Sequence, residues 1–146
     1  MKVKRIRKIL LGVDLAHFSE DTIKFAVETA KIRRSKLTVM FVYRSVHPII
    51  NLATPKKSSP NEIENCKSEL ISLCEKHIPK SVDWEAVVIE GKPIYQTIVR
   101  AAQKISTDLI ILGEHDRHQQ DEILLGSNAE KIARYAPCSV LILKNR

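Results

Sequence analysis

Five short apolar runs alternate along this chain with four longer segments whose apolar residues recur every three or four positions. The first run, Ile6–Asp14 (IRKILLGVD), is rich in Ile and Leu and ends on Gly and Asp. That pattern suits a central strand covered on both faces. Ser19 and Thr22 then open a helix to Arg34, with Ile23, Ala26, Val27 and Ala30 at helical spacing. Lys36–Tyr43 (KLTVMFVY) is β-branched, aromatic and apolar, a second buried strand. Residues 44–60 carry Pro48, Pro55 and Pro60 around a Lys-Lys-Ser-Ser run, which predicts the longest loop and a mobile one. A second helix is expected from Asn61 to His77, with Ile63, Cys66, Leu70, Cys74 and Ile78 facing inward. Trp84–Ile89 reads as a third strand. Gly91-Lys92-Pro93 opens a third helix, with Pro93 in its first turn and Ile94, Ile98, Ala101, Ala102 and Ile105 inward. Gly91 is expected to relieve crowding before that helix. Asp108–Gly113, a polar loop, a helix over Ser127–Ala136 and a strand over Cys138–Leu143 complete the pattern.

Strands that alternate with helices require a mainly parallel sheet with right-handed crossovers. The predicted fold is therefore α/β: a five-stranded parallel sheet with helices on both faces, open and doubly wound. The 146 residues are expected to form a single domain over 1–146, long enough to bury most of its surface in one core. Hydrophobic content of 44% with 28% charged residues is ordinary for a soluble protein. No apolar run approaches the roughly 20 residues that span a bilayer, so no membrane partner is expected. The N-terminal MKVKRIRKILLGVD is basic and then apolar, but its apolar part is only Ile9 to Val13 and Asp14 interrupts it. It reads as a first strand rather than a secretory signal, and the protein is expected to be cytoplasmic.

Charge and cysteine content narrow the function classes. The net charge of +7 is uneven: residues 1–59 hold 13 basic and 4 acidic groups, whereas residues 60–146 hold 11 and 13. Five of the first eight residues are basic, but no aromatic residues interleave with them and no nucleic-acid-binding motif is visible. A solvated basic tail is expected, and nucleic acid is not the expected partner; a nucleic-acid binder using Lys2–Lys8 stands as an alternative, with steeply salt-dependent binding. Cys66, Cys74 and Cys138 are odd in number, lack CxxC spacing and read as small hydrophobic residues.

The chemistry concentrates in LIILGEHDRHQQDEILLGSNAEKIARYAPCSVLIL, residues 109–143. Gly113 ends a strand, and Gly126-Ser127 turns into a helix whose N-terminus lies at the carboxyl edge of the sheet. Ligands of open α/β folds bind at that edge, and free backbone N–H groups there favour an anion. A nucleotide or other phosphate-bearing ligand is the expected class. The chain has four glycines, Gly12, Gly91, Gly113 and Gly126, and holds no G-x-G-x-x-G, G-x-x-x-x-G-K-[ST] or G-x-S-x-G. Hydride transfer, phosphate-loop ATPase chemistry and acyl transfer lose their usual support, so binding rather than turnover is expected and no catalytic residue is assigned. His115 and His118 share a loop with Asp116 and Asp121, but histidines in a polar loop are commonly surface residues, and no metal site is assigned.

KILLGVD, the strand ending in FVY, EGKP, TDLIILG and GSNAEKIARYAPCSVLIL together resemble the universal stress protein family over nearly the whole chain. The resemblance implies a five-stranded parallel sheet flanked by four helices, an adenine-nucleotide α-hydrolase-like fold. It also implies a homodimer, and in many members ATP bound through G-x2-G-x9-G-[ST]. Carried over, the first motif glycine is Gly113, with Leu112 before it, and the last two positions are Gly126 and Ser127 at the matching spacing. The resemblance places Asp14 at the ribose or phosphate, Val42 beside the adenine, and Asn128 after Ser127 at the helix start. From the residues alone, Asp14 equally starts a turn, and Gly113 and Gly126-Ser127 equally end a strand and cap a helix.

Asp116 stands where the second motif glycine belongs. A carboxylate about 6 Å from a phosphate charge, at an effective dielectric near 20, is repelled by roughly 3 kcal/mol, about two decades of affinity. The loop from Glu114 to Leu125 holds four acidic residues against Arg117. A divalent cation such as Mg2+ bridging Asp116 to a polyphosphate reverses the sign. Adenosine or a monophosphate is penalised less. Two readings therefore follow: a homodimeric binding and signalling module with an ATP or AMP site, or a nucleotide-independent dimer acting through its surfaces. A slow ATPase with Asp14 or Asp116 positioning water is a further alternative. The final strand, Val140–Leu143, is expected at the sheet edge, where it pairs with its counterpart across a two-fold axis.

Overall fold

The computed structural model describes residues 4–44, 60–114 and 126–144. The elements run β1 (Lys8–Gly12), α1 (Glu20–Arg33), β2 (Lys36–Tyr43), α2 (Pro60–His77), β3 (Trp84–Glu90), α3 (Ile94–Lys104), β4 (Leu109–Gly113), α4 (Ser127–Tyr135) and β5 (Ser139–Leu143). All strand pairs are parallel, in the order β3-β2-β1-β4-β5. This is the doubly wound α/β sheet expected from the alternation. The segments expected as a mobile loop (44–60) and as the Asp116 loop fall almost wholly on residues outside those described.

The apolar runs sort by strand periodicity into two cores. Ile9, Leu11, Leu37, Val39, Leu109 and Ile111 pack on one face with Ile23, Ala26, Val27 and Ala30 of α1 and Leu70 and Cys74 of α2. Leu10, Met40, Val42, Ile110 and Leu112 pack on the other with Ile98, Val99 and Ala102 of α3 and Ala129 and Ile132 of α4. Central strands buried on both faces carry continuous apolar runs for this reason.

Local chemistry sets the element ends. The Ser19 hydroxyl accepts the Thr22 N–H at 3.3 Å and caps α1 as expected. Pro93 takes the capping position of α3 with ψ 158° rather than a first-turn position, and helical geometry starts at Ile94. Ala136 is extended, not helical, because the residue before a proline is pushed out of the α region. β1 is shorter than the apolar run, since its ladder to β2 starts at Lys8–Lys36 and ends at Gly12–Met40. Cys74 is fully buried and Cys66 only partly covered. Burial pushes the Cys74 thiol up to about 12, Glu75 adding to it, and raises Cys66 and Cys138 as well. Thiols held protonated are poor nucleophiles and metal ligands.

The basic side chains described at the N-terminus, Lys4, Arg5, Arg7 and Lys8, are solvent-exposed as expected, while the backbone that carries them is tied to the sheet. Asp108, just before β4, accepts the N–H groups of Arg7 and Lys8 on Oδ2 at 2.9 and 3.0 Å, and Lys4 Nζ lies 3.4 Å from its Oδ1. Burial raises the Asp108 carboxyl, but these donors outweigh it and the net shift is downward. A depressed carboxylate contributes its stability in full above the unfolded value near 4 and loses it as the pH falls through the folded value. Asp108→Asn is expected to cost about 1–2 kcal/mol at neutral pH. In urea unfolding at pH 7 and pH 3, the variant should lose less stability on acidification than the native chain.

Candidate functional site

The chain leaves β1 for α1 on one face and leaves β4 for α4 on the other. The carboxyl ends of these neighbouring strands therefore diverge, and a crevice opens at the switch point. A cleft of about 1020 Å³ occupies it. Of the residues expected at a site, Asp14, Val42, Leu112, Gly113, Gly126, Ser127 and Asn128 all line this cleft. Asp116 lies outside the described residues.

At one end, β2 runs past β1. The β1 ladder closes with Gly12 opposite Met40, and the Val13 N–H donates to the Met40 carbonyl at 3.0 Å. On the other side β2 stays paired to the end, Tyr43 opposite Glu90, with the Gly91 N–H on the Tyr43 carbonyl at 3.1 Å. Backbone polar groups of a parallel strand alternate sides, so Val42 turns its N–H and C=O toward β1, beyond the last rung. Val42 thus offers one donor and one acceptor to the cleft, an edge that an apolar ring with complementary polar atoms can complete.

In the middle, Asp14 Oδ1 accepts the Ala16 N–H at 2.9 Å and the Asp14 carbonyl accepts from His17 at 3.2 Å. The residue does start a turn, and that turn sets it on the cleft wall. Leu112 forms the floor, its Cδ2 only 2.8 Å from where a Gly12 Cβ would stand.

At the other end, the Glu114 N–H donates to the Leu143 carbonyl at 3.1 Å and the Gly126 N–H to the Glu114 carbonyl at 2.9 Å. These bonds hold the two ends of the motif segment together beside β4. Gly126 is the N-cap of α4 and offers no side-chain oxygen to the first-turn amides. The positive end of the helix dipole at Ser127 and Asn128 therefore faces the cleft.

The sequence pointed to none of His17, Phe18, Phe41, Arg44 and Lys92, yet all line the same cleft. Among the described residues, no group of three or more His, Cys, Asp or Glu is placed to hold a metal ion, and no helix is long and apolar enough to cross a membrane. Gly91 sits behind Lys92 as expected: a Cβ there would collide with Thr97 Oγ1 and stand 2.9 Å from its Cγ2. Thr97 cannot easily turn away, because its hydroxyl donates to the Pro93 carbonyl at 3.0 Å. Gly91→Ala is expected to cost about 1–3 kcal/mol by overpacking. Adding Thr97→Ala should restore most of that loss in a urea titration, a coupling readable from the double-mutant cycle.

Comparison with known proteins places this geometry. Residues 5–144 match the profile of the universal stress protein family. A universal stress protein of Methanothermobacter thermautotrophicus is 25% identical over 97% of this chain and 98% of its own length. Among solved structures, a universal stress protein in complex with cAMP matches with a TM-score of 0.70 at 19% identity, over 97% of this chain and 98% of that one. The universal stress protein of Archaeoglobus fulgidus in complex with dAMP matches with a TM-score of 0.66 at 23% identity, over 95% and 98%. The chain belongs to the universal stress protein family.

Proposed function

We propose that this cleft binds an adenine nucleotide, that a monophosphate is preferred to a triphosphate, and that the protein acts by binding and signalling rather than by turnover. The observation that carries the reading is the Val42 backbone edge and the α4 N-terminus facing one cleft, with Asp14 between them. The donor and acceptor of Val42 complement the ring nitrogen and amino group of adenine, whereas guanine presents a donor and an acceptor in the opposite order. Asp14 suits ribose hydroxyls, and the start of α4 at Ser127 and Asn128 suits a phosphate. Two similar structures hold cAMP and dAMP, both monophosphates, which supports the same class here. The acidic loop from Glu114 to Leu125 weighs against a triphosphate unless Mg2+ accompanies it.

The same reading puts the protein in the cytoplasm as a homodimer. β5 lies at the sheet edge and Val140–Leu143 are only partly covered, so a second copy pairing there would satisfy exposed strand groups. Thermal unfolding with AMP, ATP, adenosine and GMP tests the proposal. AMP at 100 times its dissociation constant should stabilise by about 2.7 kcal/mol, with ATP weaker and GMP without effect. No shift with any adenine ligand would leave the nucleotide-independent dimer, which the acidic loop favours. Phosphate released from ATP, and lost in Asp14→Ala, would instead indicate a slow ATPase.

A further inference from the structure

Two cations occupy the end of the cleft that an adenine monophosphate does not require. Arg44 follows β2 and Lys92 follows β3, and both line the cleft on the far side of Val42 from α4. Their placement is built into the backbone. Tyr43 pairs with Glu90, the Gly91 N–H bonds the Tyr43 carbonyl at 3.1 Å, and the next residue on each chain segment is Arg44 or, one further, Lys92. The missing Cβ of Gly91 lets α3 start tight against this rim. Both side chains are exposed, and among the described residues neither forms an ion pair. Both carry only donors, so neither complements the amino group of adenine at Val42.

We infer that this rim is a second anion site and that the cleft takes an adenine nucleotide carrying a further anionic group beyond its base. The inference rests on the adenine-nucleotide reading above and names its ligand class more narrowly. The spacing supports it: α4 starts beside β4, and Arg44 and Lys92 stand over β2 and β3, two and three strands away. At about 4.8 Å per strand the two anion sites lie roughly 10–14 Å apart. A 5′-phosphate at α4 and a charge past the amino edge of the base are separated on that scale. Asp14, the one acidic side chain among the described lining residues, stands between the two sites, where neutral ribose hydroxyls fall.

The second anion is a carboxylate substituent on the base. Isothermal titration compares AMP with N6-(1,2-dicarboxyethyl)-AMP. The dicarboxylate should bind about tenfold tighter than AMP, the scale of two exposed charge contacts. That gain, read as the ratio of the two affinities, should shrink with added salt and vanish in Arg44→Gln/Lys92→Gln. Charge reversal in Lys92→Glu should make the dicarboxylate weaker than AMP, with circular dichroism checking the fold. If AMP binds but the dicarboxylate gains nothing, or the gain survives in the double variant, the second site is overturned and the adenine site stands. If AMP itself does not bind, both readings fall together.

Discussion

Asp116→Gly is expected to tighten ATP binding about a hundredfold, with a smaller gain for AMP and almost none for adenosine. The graded series follows from Coulomb's law, because each phosphate charge near the loop gains separately when the carboxylate is removed. Gly113, Gly126 and Ser127 keep the motif spacing, so the substitution completes it. Asp116→Asn should recover part of the gain, since it removes the charge but keeps the side chain that hinders close backbone approach. Magnesium should compress the difference between native and variant chains, because a bridging cation already offsets the carboxylate. Titration of the three ligands with and without magnesium reads all of this. A ratio of ATP to adenosine affinity that does not move in Asp116→Gly would mean that the carboxylate does not face the phosphates.

Ile110→Ala is expected to produce the largest loss of stability, about 3–4 kcal/mol. Ile110 is fully buried at 0% exposure in central strand β4, within the cluster that also holds Ala129 and Ile132 of α4. The truncation removes buried methyl groups and leaves a cavity between rigid layers that cannot collapse fully. Because α4 carries one end of the cleft, AMP affinity should fall with stability, although Ile110 does not line the cleft. Ile32→Ala is the matched comparison: the same chemical change at a side chain 77% exposed on α1 should move stability by less than about 0.5 kcal/mol. Equal losses in the two variants, measured by urea unfolding, would contradict the two-core description.

Most of the fold was legible because its signals are local. A strand buried on both faces needs a continuous apolar run, and KILLG, KLTVMFVY and LIILG supply it. A crossover helix needs a stripe, and Ile23, Ala26, Val27 and Ala30 supply one. Ends were less legible, since they depend on partners. Ile6–Asp14 looks uniform as sequence, yet β1 covers only Lys8–Gly12 because the β2 ladder has that reach. The basic N-terminal side chains are solvated as read, but nothing local announces that Asp108, a hundred residues on, takes the Arg7 and Lys8 amides.

For the site, motif spacing brought out Gly113, Gly126 and Ser127, which fall within one short stretch of the chain. Asp14 was ambiguous as sequence, because a turn-forming aspartate and one that lines a cleft look alike there. Arg44 and Lys92 were invisible. Each is one exposed cation in a basic chain, and the parallel pairing of β2 with β3 brings both to one cleft.

By itself, then, the order of residues determined the alternation of strands and helices, the parallel sheet, and a glycine turn before the last helix, since periodicity and glycine placement act over a few residues. Only the tertiary structure decided which strands lie side by side. From that came the extension of β2 past β1 that exposes Val42, and the second cationic rim across the same cleft. Strand neighbours are chosen by how two apolar faces pack against four helices at once, and no stretch of sequence contains that choice.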